Sequence, residues 1–264
     1  MHSTDEKKEE FGRLLSIMDE LRQKCPWDRE QTIDSLRSNT IEEVYELADA
    51  INRKDMADIR KELGDLLLHI VFYAKIGSEN GDFDIYDVCK SLIEKLIYRH
   101  PHVFGQVEVD SSNAVSQNWE RLKLKEKGGN RSVLAGVPQA LPALIKAHRI
   151  QDKARSMGFD WDERSDVWNK VSEEIEEARA EIETMNKDAM EAEFGDVLFS
   201  IINACRLYGI DPENALERTN RKFISRFNYL ESKTIAQGKD LKQMPLAEME
   251  EIWQEAKKIE NQNQ

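Results

Sequence analysis

The chain repeats itself. Trp27-Asp28 recurs as Trp161-Asp162, Glu42-Glu43-x-x-Glu46 as Glu173-Glu174-x-x-Glu177, and Glu62-Leu63-Gly64-Asp65 as Glu193-Phe194-Gly195-Asp196. Lys95-x-x-x-Arg99 returns as Lys222-x-x-x-Arg226, and Trp119 as Trp253. Five features in one order, at offsets between 127 and 134 positions, are a duplication. Whatever one copy folds into, the other must fold into as well. The repeating unit is about 125 residues, an ordinary domain size. Glycine and proline concentrate between Gly128 and Pro142 and punctuate the two copies. The expected organisation is a first domain over 1–128, a linker over 129–139 and a second domain over 140–264.

Six prolines and twelve glycines are few for 264 residues. Apolar residues recur at three and four, as in Phe11, Leu14, Leu15, Met18 and Leu21. No alternating run of useful length suggests a strand. The periodicity predicts an all-α protein with helices over about 11–24, 33–52, 55–77, 84–99, 113–127, 140–156, 166–184, 187–208, 212–232 and 246–259.

The duplicated acids are placed symmetrically. Residue 54 is midway between Glu46 and Glu62 and also between Glu43 and Asp65, and it lies in the polar stretch Asn52-Arg53-Lys54-Asp55. A helical hairpin closing there sets Glu46 beside Glu62 and Glu43 beside Asp65. In the second copy the centre is residue 185, pairing Glu177 with Glu193 and Glu174 with Asp196. Within each helix the partners are three apart, on one face. Such carboxylates raise one another's pKa unless a cation joins them. Oxygen-only ligation suits Mg²⁺, with Mn²⁺ as a substitute, and neither hairpin has the Glu-x-x-His of a di-iron bundle. His69 follows Asp65 by four, but Ser200 replaces it in the second copy. Gly64 and Gly195, each within a helix, suggest close approach of a ligand or of another backbone.

Net charge excludes some functions. At −13, with no basic stripe, the chain is not built for duplex nucleic acid, although a bound divalent ion would let it hold a polyphosphate. Lys95 and Arg99, and again Lys222 and Arg226, are four apart and suited to phosphate oxygens. Trp119 and Trp253 are large enough to stack on a base. Three scattered cysteines, no apolar leader in MHSTDEKKEE and no long apolar run give the expectation of a cytoplasmic protein without a membrane span. The chain contains no GxxxxGK[ST], GxSxG, HExxH or His-Asp motif. Hydrolysis of a phosphoanhydride by water activated at a metal is the chemistry that fits.

KCPWDREQT, EEVYELADAI, ELGDLLLHIVFYA and RHPHVFG, together with the duplicated hairpins, resemble the MazG family of bacterial nucleoside triphosphate pyrophosphohydrolases over nearly the whole chain. The resemblance implies a tandem all-α NTP pyrophosphatase fold, a homodimer, Mg²⁺ dependence, and hydrolysis of ribo- and deoxyribonucleoside triphosphates to monophosphate and pyrophosphate with broad base tolerance. It assigns turnover to the second copy, with Glu174, Glu177, Glu193 and Asp196 for metal and Lys170, Lys222, Arg226 and Trp253 for nucleotide. Asn39 stands where the second copy has Lys170, a departure that weakens phosphate binding in the first. Glu173, about 40° around the helix from Glu177, is the expected general base. The competing expectations are a nucleotide-sensing regulator, or a hydrolase specialised for guanosine tetraphosphate or damaged nucleotides.

Overall fold

The computed structural model describes residues 1–108, 115, 118–119, 122–123, 132–161 and 163–262. Most of the expected helix over 113–127, the boundary at 128, the start of the linker and Asp162 lie outside the described residues. The chain divides into two compact units, Met1–Val115 and Ser116–Gln264. Among the described residues every regular element is a helix. None of these helices is long and apolar enough to cross a membrane.

In the first unit α1 runs Thr4–Lys24, α2 Pro26–Glu30, α3 Ile33–Arg53, α4 Met56–Asn80, α5 Ile85–Arg99 and α6 Pro101–Phe104. Helix α1 starts a full two turns before its first apolar residue, Phe11. A capping box does this: the Ser3 hydroxyl accepts from the Glu6 N–H, and Glu6 accepts from the Ser3 N–H. Apolar periodicity carries no trace of those turns. Proline at the first helical position starts α2 and α6, two short helices that were also illegible as periodicity.

The second unit repeats the plan with α7 Ala143–Ser156, α8 Val167–Thr184, α9 Lys187–Leu207, α10 Pro212–Ala236 and α11 Leu246–Gln262. The long hairpins α3–α4 and α8–α9 turn at corresponding positions. Lys54 ends α3 in the left-handed region at φ 57°, and Met185 ends α8 at φ 56°. The next residue caps the returning helix. Asp55 accepts from the N–H groups of Ala57 and Asp58, and Asn186 accepts from that of Ala189.

The hairpins are backed by different cores. Met18 from α1 and Leu36 from α3 pack on Val71, Phe72 and Ile76 of α4, with Phe11, Leu14, Leu15 and Tyr73 around them. The second hairpin is held by smaller groups, Val167, Val171 and Ala204, flanked by Ile175 and Leu207. Helices α10 and α11 close on their own cluster of Leu230, Met244 and Ile252.

Candidate active site

Closing the hairpins brings carboxylates together. In the first unit, oxygens of Glu43, Glu62 and Asp65 lie within 4.8 Å of one another. Glu46 is linked through Lys61, whose ammonium is 4.0 Å from Glu46, 2.8 Å from Glu62 and 3.8 Å from Asp65. Glu62 is buried, and its Oε2 has no hydrogen-bond partner. Desolvation, then the charges of Asp65, Glu46 and Glu62, push Glu43 above the usual carboxylate range.

In the second unit the set is Glu174, Glu177 and Glu193, again within 4.8 Å, with the counterpart of Glu46 in place of that of Asp65. Asp196, one turn further along α9, lies outside that set and lines an adjoining cavity. Here the cation is Lys170, 2.8 Å from Glu173 and 2.7 Å from Glu174. Its hydrogen bonds to Glu173 and then Glu174 hold its pKa well above the ordinary lysine range. Glu177 is pushed up by desolvation first and then by the charges of Glu174, Glu173 and Glu193, against Lys170. Both clusters offer hard oxygen donors in excess of the positive charge present, and one oxygen in the first is buried without a partner. The residues fit a divalent cation.

A Cβ built on Gly64 or Gly195 meets nothing within 4 Å. Among the described residues no close packing accounts for either glycine, and each leaves open space on its helix.

The cavity beside the second cluster measures about 660 Å³ and lies among α7, α8, α9 and the segment before α8. Lys170, Glu174 and Asp196 line it on the hairpin side. Phe159, Trp161 and Phe199 supply aromatic surface, and Gln151, Asn203 and Arg206 supply polar groups. Arg206 organises one wall. It donates to both carboxylate oxygens of Asp160 and, through Nε and Nη2, to Asn203 Oδ1 at 3.1 and 2.8 Å. Asp160 in turn accepts from the Trp161 N–H at 3.0 Å. Burial raises Asp160, but Arg206 and the Trp161 N–H outweigh it and hold the carboxyl below its usual range.

Lys222, Arg226 and Trp253 do not line this cavity; they gather on α10 and α11. Arg226 donates to Glu260 through Nε at 2.8 Å and Nη2 at 2.7 Å, and its guanidinium lies 5.9 Å over the Trp253 ring. The Trp253 ring is 5.1 Å from that of Phe223. Lys222 is exposed. Glu173 is exposed on the flank of the acidic face and joined to it through Lys170.

The cavity itself was missed in the sequence, although a signal exists beyond the motifs. At the common offset of 131, His69, Phe72 and Tyr73 correspond to Ser200, Asn203 and Ala204. In the first unit Phe72 is 3% exposed, and buried His69 and half-buried Tyr73 belong to a polar cluster. Thr40 Oγ1 is 2.7 Å from His69 Nδ1 and 2.6 Å from the Tyr73 hydroxyl. Ser200 and Asn203 line the cavity at positions where the first unit has the rings of His69 and Phe72, while Ala204 is buried in the core.

Residues 31–104 and 164–230 match the family described as the MazG nucleotide pyrophosphohydrolase domain, once in each unit. The chain is 41% identical over 258 residues to a nucleoside triphosphate pyrophosphohydrolase of Escherichia coli strain K12, covering 95% of this chain and 98% of the relative. It is 44% identical over 250 residues to the nucleoside triphosphate pyrophosphohydrolase/pyrophosphatase MazG of Thermotoga maritima, covering 94% and 95% of the two chains.

Proposed function

This chain belongs to the MazG nucleotide pyrophosphohydrolase family, and from that premise we propose how its second unit, residues 140–264 by the repeat, hydrolyses nucleoside triphosphates to monophosphate and pyrophosphate. The activity is that of a phosphoanhydride hydrolase and serves to clear nucleotides from the pool. One observation carries the assignment to the second unit: the cluster of Glu174, Glu177 and Glu193 adjoins an aromatic cavity of about 660 Å³, within the size range of small-molecule sites.

In this reading Glu174, Glu177, Glu193 and Asp196 hold Mg²⁺, with Mn²⁺ able to replace it. When bound, such an ion polarises phosphate oxygens and makes water more acidic. Lys170 turns its ammonium from Glu173 and Glu174 to phosphate, and Lys222 adds an exposed positive charge from α10. Arg226 and Trp253 stay with Lys222 as an outer binding group, their contact supporting a joint role. Glu173, released by Lys170, accepts the proton of the attacking water. Aromatic faces at Phe159, Trp161 and Phe199 receive the base, and every base has a face to stack, which supports broad tolerance.

Apolar side chains exposed along α9, among them Phe194, Leu198 and Ile201, support a homodimer. Three unpaired cysteines support a cytoplasmic location.

The test is release of pyrophosphate from a panel of ribo- and deoxyribonucleoside triphosphates, with Mg²⁺ and after chelation. The expected result is turnover that chelation abolishes and Mg²⁺ restores. In Glu173→Gln, kcat should fall by roughly 10²–10⁴-fold while nucleotide binding is retained. Binding of nucleotides without product by the unaltered protein would overturn the assignment in favour of a sensor.

A further inference from the structure

Gln151 has an unfilled acceptor. The residue is 6% exposed, lies on α7 and lines the cavity of the second unit. Its Nε2 donates to the backbone carbonyl of Phe199 at 2.8 Å. A carbonyl oxygen only accepts, so this bond fixes which end of the amide is which. The other end, Oε1, is buried with no partner. A buried amide oxygen left so is costly, and a small rotation of the carboxamide brings it to a donor that enters the cavity Gln151 lines.

The same cavity is lined by Lys170, Glu174 and Asp196 from the hairpin and by aromatic surface at Phe159 and Trp161 from the segment before α8. A nucleotide with its phosphates toward the acids puts its base among the rings, where Gln151 is the buried acceptor. We propose that Gln151 Oε1 accepts an N–H from the pairing edge of the nucleobase, and that Gln151 is thereby a specificity-determining residue. Adenine offers N6–H, cytosine N4–H, guanine N1–H and N2–H, and uracil or thymine N3–H. One acceptor therefore admits every standard base and disfavours a base without an edge N–H. The inference rests on the hydrolase assignment above and adds to it the chemical feature that the base must carry.

The experiment compares ATP with purine riboside 5′-triphosphate, which differs in lacking the 6-amino group and has no edge N–H. The unaltered protein should show kcat/KM lower for the analogue by roughly 5–150-fold, the equivalent of one unmade bond to a buried acceptor. Gln151→Met keeps the length of the side chain and removes the acceptor. It should lower kcat/KM for ATP by a similar factor, leave the analogue nearly unchanged and bring the ratio close to one. Equal kcat/KM for the two nucleotides in the unaltered protein would overturn the inference while leaving the hydrolase assignment standing, and that comparison needs no variant to fold. A ratio that survives in folded Gln151→Met overturns it as well. Absence of pyrophosphate release from every natural triphosphate overturns the assignment and the inference together.

Discussion

The two hairpins bring together different members of one acidic set, Glu43, Glu62 and Asp65 in the first and Glu174, Glu177 and Glu193 in the second, and neutralise them from different helices. In the first, Lys61 reaches across from α4, the helix that carries Glu62 and Asp65. In the second, position 61 corresponds to Ala192, and the ammonium comes from Lys170 on α8, whose counterpart is Asn39. Retaining the charge while moving its source shows that the cluster requires a cation more than it requires a particular lysine. The surroundings diverge in the same direction. Phe72 and Tyr73 pack in the core of the first hairpin, whereas Asn203 lines the cavity beside the second. The acids of the first hairpin border a cavity of about 620 Å³ walled mainly by charged side chains, Arg53 and Asp58 among them, whereas those of the second border one with aromatic surface.

The largest effect expected from breaking this comparison is at the acids. Glu193→Gln should reduce pyrophosphate release to an undetectable level with helicity unchanged by circular dichroism, since it removes a carboxylate charge from the cluster beside the cavity. Glu62→Gln, its counterpart, should leave most of the activity. Equal losses would show that both hairpins turn over substrate.

Next is the packing. Phe72→Ala should destabilise the first unit by about 3–5 kcal/mol in chemical denaturation, the usual result of emptying a buried ring site, without altering turnover per folded molecule. A loss well below 1 kcal/mol would show that the Phe72 ring does not hold the core of the first hairpin.

A smaller effect concerns acid. The folded-state pKa of Asp160 is depressed, so its pairing with Arg206 contributes stability that is present above the ordinary aspartate pKa of about 4 and lost as pH falls through the folded value. Asp160→Asn should therefore destabilise the second unit by about 1.5–3 kcal/mol near neutrality and by progressively less as pH drops below about 4. A difference that persists undiminished in acid would show that Asp160 acts through packing instead.

The smallest effect tests what the hairpins share. Lys54 and Met185 both occupy left-handed backbone, which disfavours a side chain by roughly 1–2 kcal/mol, partly offset by the greater freedom of glycine in the unfolded chain. Lys54→Gly and Met185→Gly should each raise stability by up to about 1 kcal/mol, and by similar amounts. A gain at one turn alone would mean that the turns are not equivalent.

The hairpins were legible in advance because their acids are arranged about a centre, and both centres, residues 54 and 185, are the residues at which the helices turn. The all-α fold followed from periodicity for the same reason, since burial leaves a pattern in the sequence. Capping leaves a different one, and the first two turns of α1 were overlooked because Ser3 and Glu6 contain all their information. Gln151 gave no signal, because one amide on an amphipathic helix looks like a solvated residue until the carbonyl of Phe199 and the cavity are set around it. The separation of Arg226 and Trp253 from the cavity was equally hidden. Spacing relates residues within a helix, but it does not say which neighbour, here Glu260 and Phe223, a later helix will meet.

The bond between Arg206 and Asp160 makes α9 a ruler. It fastens the segment bearing Phe159 and Trp161 to the same rod that carries Glu193 and Asp196. From Asp196 to Arg206 that rod extends about 15 Å, at about 1.5 Å per residue. A ligand spanning those rings and acids would be gauged for length as well as charge. A free base or a bare polyphosphate touches only one mark.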